Sequence, residues 1–184
     1  MKKLIYIIGV LLCGGMLWGC NPDDDSKTTW ERYTEWREEN QKWFAQQEKL
    51  TDKDGSPYYT RVTPPWNPGA VVLVHWFNDR EETRENLVPM FTSTVDTRYI
   101  GRLYNDEPFD STEIDAVFTT QVSGVVEGWQ IALMNMHVGD TVQVVFPYQQ
   151  GYGAMNNGTI PPYSALKFNM RLVDIPAYEI PAEK

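Results

Sequence analysis

Two short stretches hold the residue types that could form a binding site. Val125-Val126-Glu127-Gly128-Trp129 leads an apolar pair into a segment with a large aromatic. Further on, Gly151-Tyr152-Gly153 precedes the double proline of Ile160-Pro161-Pro162. Together they predict an aromatic pocket roofed by a loop. Such a pocket suits a prolyl side chain rather than a metal or a phosphate. His75 and His137 are far apart and neither sits in a ligand-like cluster, so both read as structural or surface histidines. No cofactor is expected.

The chain has 184 residues, 42% of them hydrophobic, which is enough for one globular domain with extensions. Its formal net charge of −9 argues against nucleic acid or anionic lipid surfaces as partners, because both need clustered Lys and Arg.

The first residues read as a targeting segment, 1–19. Lys2 and Lys3 form a basic start, and Leu4 to Leu12 is an apolar run of about nine residues, short of the ~20 a spanning helix needs. Leu17-Trp18-Gly19-Cys20 resembles a bacterial lipobox, which implies cleavage before Cys20 and acylation of its thiol. An ordinary secretory signal is the alternative. Cleavage would leave Cys20 as the sole cysteine and rule out an intrachain disulfide. Residues 20–27 follow as an acidic tether, either a spacer or a surface-sorting signal. The expected location is a lipid anchor in the bacterial cell envelope, at the outer membrane, facing the periplasm or the surface.

Positioning elements can be read from periodicity. Residues 28–56 form an N-terminal helical extension, with a helix over 28–50 opened by a Thr28/Glu31 capping box. Trp30, Tyr33, Trp36, Trp43 and Phe44 make an aromatic stripe on it. The stripe either packs on the following domain or forms a client or homodimer surface. Residues 57–178 then read as one domain of about five strands, with strand runs at Ala70–Phe77, Phe91–Tyr104, Val117–Val122, Thr141–Phe146 and Leu166–Leu172. Val126, Trp129, Leu133 and Met136 mark one short helix among them, stopped by Gly139. A helix across one face of an antiparallel sheet is an α+β arrangement. Residues 179–184 are a tail.

Residues 97–175 resemble an FKBP-type peptidyl-prolyl cis-trans isomerase domain. The resemblance rests on Thr97–Leu103, Pro108-Phe109-Asp110-Ser111, Val125–Trp129, Met136–Asp140, Gly151–Ala154 with Ile160–Pro162, and Ala165–Phe168 with Leu172–Ile175, in that order. It implies an antiparallel half-barrel sheet wrapped around one short helix. It also implies that Trp129 is the pocket floor, that Phe109, Phe118 and Phe168 are walls beside Tyr99, and that Val125 edges the pocket. Val126 would donate its backbone N–H to a substrate carbonyl, Tyr152 its hydroxyl, and Ile160 would close the lid. Asp110 would orient Tyr99 or meet the turning carbonyl. Taken alone, the aromatics could equally be core. Ala116 departs from the family's usual Phe, the 153–160 loop is one residue short, and the stretch at about 78–92 is longer than in compact members.

The implied function is rotation of X-Pro bonds in proline-containing, partly folded envelope proteins. The rival readings are a catalytically weak FKBP-like chaperone or binding module, and a glycan-capturing lipoprotein resting only on the 13% aromatic content.

Overall fold

Thr141–Phe146 ends in the unbroken apolar run Val144-Val145-Phe146, which a strand sustains only when both of its faces are covered. The computed structural model describes residues 27–179 and shows how that happens. The proposed signal segment, Cys20 and nearly all of the tether and tail lie outside the described residues.

Two helices open the described chain, α1 (Thr29–Arg32) and α2 (Thr34–Gln47). The strands are β1 (Thr60–Val62), β2 (Val72–Trp76), β3 (Thr94–Leu103), β4 (Pro108–Ser111), β5 (Phe118–Gln121), β6 (Thr141–Phe146) and β7 (Leu166–Ala177). A short helix, α3 (Glu127–Leu133), lies between β5 and β6. All strand pairs are antiparallel, in the order β1-β2-β6-β7-β3-β4, with β5 also on β3. This is the expected α+β sheet, with seven strands where about five are expected. The additional ones are short, and β4 shows no alternation long enough to read.

β6 lies between two apolar layers. Val142, Val144 and Phe146 face a core shared with Trp129, Ile131 and Leu133 of α3. Val145 points the other way and, with its register partner Leu73 and with Tyr59, packs under Trp43 and Phe44 of α2. The aromatic stripe therefore packs on the chain's own sheet. Trp36 adds an indole N–H bond of 3.1 Å to Ser164 Oγ and an edge-to-face contact with Tyr104. Trp30 remains 49% exposed.

The expected single helix is broken at Tyr33, although the Thr28/Glu31 capping box forms. The Trp30 carbonyl, which the next helical N–H would have used, instead accepts from Arg37 Nη1 at 2.7 Å and Thr34 Oγ1 at 3.2 Å. Side chains that compete for helical carbonyls interrupt a helix in this way.

Two glycines set the distance between layers. A Cβ on Gly128 would lie 2.4 Å from the ring of Phe146, which is fully buried. Gly128→Ala should therefore push α3 off the sheet and cost about 1–3 kcal/mol, read as a lower urea midpoint at unchanged m-value. Gly101 has a similar role beneath Phe109 and Phe168, with a Cβ only 2.6 and 2.7 Å from their rings.

Candidate active site

The site forms where β3 bends. Its Thr94–Thr97 half pairs with β5 and its Ile100–Arg102 half with β4, while its other edge runs along β7. Between the two halves, Thr112 N–H donates to the Tyr99 carbonyl and Tyr99 N–H to Thr112 Oγ1. Tyr99 is thereby pinned facing α3. Its ring meets Trp129 edge-on with centroids 4.9 Å apart, and Trp129 meets Phe168 edge-on at 5.2 Å. Phe109 is set edge-on to Phe168 at 5.5 Å, and Phe118 to Tyr99 at 5.7 Å. Edge-to-face pairs of this kind fix ring planes beyond what area burial alone would do.

These rings enclose a cavity of about 230 Å³ lined by Tyr99, Phe109, Asp110, Phe118, Gly124, Val125, Val126, Trp129, Tyr152 and Phe168. Nine of these residues are expected from the sequence. Gly124, in the turn before α3, is the additional one, and no side-chain signal could have marked it. Ile160 does not line the cavity. Expected as the lid, it is 4% exposed and joins the core. Its apolar side chain gains more from burial than from covering a mouth open to solvent. Ala116 also lies off the lining and is exposed. Phe118, 38% exposed, provides the wall on that side.

The polar groups at the rim are few. Tyr99 Oη donates to Asp110 Oδ2 at 2.5 Å. Burial, and then the hydrogen bond to Asp110, push the Tyr99 hydroxyl well above the ordinary tyrosine range. Burial, and then the Asp110 charge, also push up the Tyr152 hydroxyl, partly opposed by Asn157. Both phenols therefore stay protonated donors at neutral pH. The Val126 N–H precedes α3 at the cavity edge and makes no backbone hydrogen bond among the described residues. No group of three or more His, Cys, Asp or Glu side chains that could hold a metal occurs among the described residues.

Away from the cavity, His75 donates through its Nδ1–H to the Tyr58 carbonyl and stacks on the Tyr58 ring. His137 neighbours Arg80 and Asp140. The long 78–92 stretch folds back on that same Asp140, which is fully buried. Asp140 accepts from Thr83 Oγ1 at 2.6 Å, Asn78 Nδ2 at 3.0 Å and the His137 N–H at 2.9 Å.

Comparison with known proteins agrees with this geometry. The model for "FKBP-type peptidyl-prolyl cis-trans isomerase" matches residues 88–173. An FK506-binding protein 4 from Chaetomium thermophilum is 37% identical over 83 residues, covering 44% of this chain and 17% of that protein. The FKBP-type 22 kDa peptidyl-prolyl cis-trans isomerase of Escherichia coli is 36% identical over 95 residues, covering 50% of this chain and 45% of that protein. The chain thus spans less than half the length of these curated relatives. The crystal structure of FkpA from Escherichia coli shares the fold at a TM-score of 0.64 and 22% identity, covering 80% of this chain and 64% of that one. The segment 88–173, which the model of the FKBP-type peptidyl-prolyl cis-trans isomerase family matches, carries every residue lining the cavity.

Proposed function

We propose that this chain catalyses cis-trans rotation of X-Pro bonds in proline-containing polypeptides, and that the cavity over Trp129 is where it does so. The observation that carries the reading is the apolar enclosure itself: aromatic edges on several sides, with protonated donors only at the rim. Rotation about an amide faces a barrier of about 18–20 kcal/mol, because resonance must be given up. The twisted transition state separates less charge between carbonyl oxygen and nitrogen than the planar ground state does. A dry aromatic floor therefore favours the twisted form, which is the differential binding that catalysis requires. The Val126 N–H would hold a substrate carbonyl, Tyr152 would donate a second bond, and Asp110 would lock Tyr99 in place. No covalent step is needed.

Tyr152→Phe and Asp110→Leu should each lower kcat/KM about tenfold in a protease-coupled assay on a Leu-Pro peptide. Far-UV circular dichroism should be unchanged, since both side chains reach the solvent. If neither variant differed from wild type, the roles given to these two side chains would be wrong. A second reading, a binding module that holds proline segments and turns them over poorly, is favoured by the solvent exposure of the Phe118 wall. Wild-type chain with no rate above buffer at micromolar concentration would select it.

The lipobox-like Leu17–Cys20 and the acidic residues after it support a lipid anchor and an envelope location, with folding envelope proteins as clients. Of the aromatic stripe, a homodimer through 28–50 would draw on Trp30 and half-buried Tyr33, because Trp36, Trp43 and Phe44 pack on the chain's own core.

A further inference from the structure

The helices α1 and α2 precede the family segment, which begins at residue 88. They do more than cover the back of β2 and β6. Trp30, Trp36, Arg37 and Asn40 all reach one three-residue stretch, Tyr163-Ser164-Ala165, which is the return stem of the loop that carries Tyr152.

The contacts are specific. Asn40 is 1% exposed and has both ends of its amide engaged. Its Nδ2 donates to the Trp36 carbonyl at 2.7 Å, and its Oδ1 accepts the Ala165 N–H at 2.8 Å. The Trp36 indole donates to Ser164 Oγ, which in turn donates to the Pro161 carbonyl at 2.7 Å. The Arg37 guanidinium, also nearly buried, lies 3.4 Å over the Trp30 ring and 5.8 Å from that of Tyr163. Trp30 itself meets Tyr163 edge-on at 5.4 Å.

Tyr163 is the link to the site. Its φ is +65°, a left-handed conformation that a bulky L-residue rarely adopts without support from its surroundings. In that conformation its N–H donates to the Gly153 carbonyl at 2.8 Å, and the Gly153 N–H donates to the Tyr148 carbonyl at 2.9 Å. Gly153 adjoins Tyr152. Whatever holds Tyr163 therefore sets where the Tyr152 hydroxyl stands over the cavity.

We propose that Asn40, Trp36 and the Arg37–Trp30 stack are positioning residues that clamp the Tyr152 loop over the prolyl cavity from the N-terminal helices. In its rate consequence this rests on the isomerase reading; in its effect on the loop it does not. The clamp fixes one hydroxyl relative to the rings, and positional errors of about 1 Å can cost as much as a hundredfold in rate.

The test uses the full chain with Asn40→Ala, and with Trp36→Phe as a milder variant that keeps an aromatic side chain but loses the indole donor and part of the ring surface. Hydrogen exchange of the Tyr163 amide reads the loop directly. The clamp predicts exchange about tenfold faster in both variants, with amides of β6 and β7 unchanged. Exchange at Tyr163 equal to wild type would overturn the proposal, whether or not the chain is an isomerase. The second arm is a double-mutant cycle for kcat/KM. Asn40→Ala should lower it about tenfold in the wild-type background and leave it nearly unchanged in the Tyr152→Phe background. Equal losses in both backgrounds would mean Asn40 contributes stability alone. Wild-type chain without catalysis would sink the isomerase reading, and the exchange arm would still decide the clamp.

Discussion

Trp129→Ala should remove about 3–5 kcal/mol of stability and lower kcat/KM for a Leu-Pro peptide by at least about a hundredfold. The indole is 4% exposed and touches Tyr99, Phe118 and Phe168 edge-on, so truncation leaves both a void and three rings without their partner. The two losses have separate causes and can be measured separately. Urea titration reads the first. Turnover at low denaturant, normalised to the folded fraction, reads the second. Trp129→Phe should recover most of the stability and only part of the rate, because a smaller ring leaves the floor incomplete. A Trp129→Ala chain that is destabilised yet turns over normally per folded molecule would show the indole to be core alone.

The second large effect lies away from the cavity. Asp140→Asn should cost about 3 kcal/mol. The carboxylate is fully buried, and three donors reach it from two separate parts of the chain: Asn78 and Thr83 of the long 78–92 stretch, and the His137 N–H after α3. Arg80 Nε stands 3.6 Å away while its guanidinium covers the Trp76 ring. An amide at 140 would place its NH₂ against one of these donors. Burial works against the charge on Asp140, but the hydrogen bonds from Thr83, His137 and Asn78, with Arg80, outweigh it and hold the carboxyl below the ordinary carboxylate range. Because the folded value is depressed, this stabilisation is complete above the unfolded value of about 3.9. It is lost as pH falls through the folded value. Wild-type urea midpoints should drop on acidification below about pH 4, and the Asp140→Asn midpoints should drop less steeply. Parallel curves for the two proteins would contradict the assignment.

The sequence made these two regions unequally legible. The cavity could be read because Tyr99, Phe109, Trp129, Tyr152 and Phe168 each lie in one of the ordered motifs that resemble the FKBP-type family, which made them visible as a set. β7 was legible by alternation: Leu166, Phe168, Met170 and Leu172 are buried and alternate with more exposed Lys167, Asn169 and Arg171. The Asp140 hub was not legible, because its side-chain donors Thr83 and Asn78 are 57 and 62 positions away and neither alone differs from a turn residue. Ile160 was misplaced for a related reason. A loop apolar residue reads the same from sequence whether it covers a cavity or turns into the core. The break at Tyr33 depends on Arg37 reaching back seven residues to the Trp30 carbonyl, which no helical periodicity signals. The docking of α2 was left open between packing and partner binding. What decides it is Asn40, a polar residue within a helix whose amide finds Ala165 125 positions away.

The most direct test of the central claim is two-site exchange between cis and trans Leu-Pro peptide, followed by NMR with catalytic amounts of the full chain. The account predicts exchange cross-peaks on a timescale where the free peptide shows none, since uncatalysed rotation takes tens to hundreds of seconds. It also predicts their loss when Trp129→Ala replaces wild type. Peptide resonances that shift or broaden on binding while cis and trans remain unexchanged would show a cavity that holds proline without turning it.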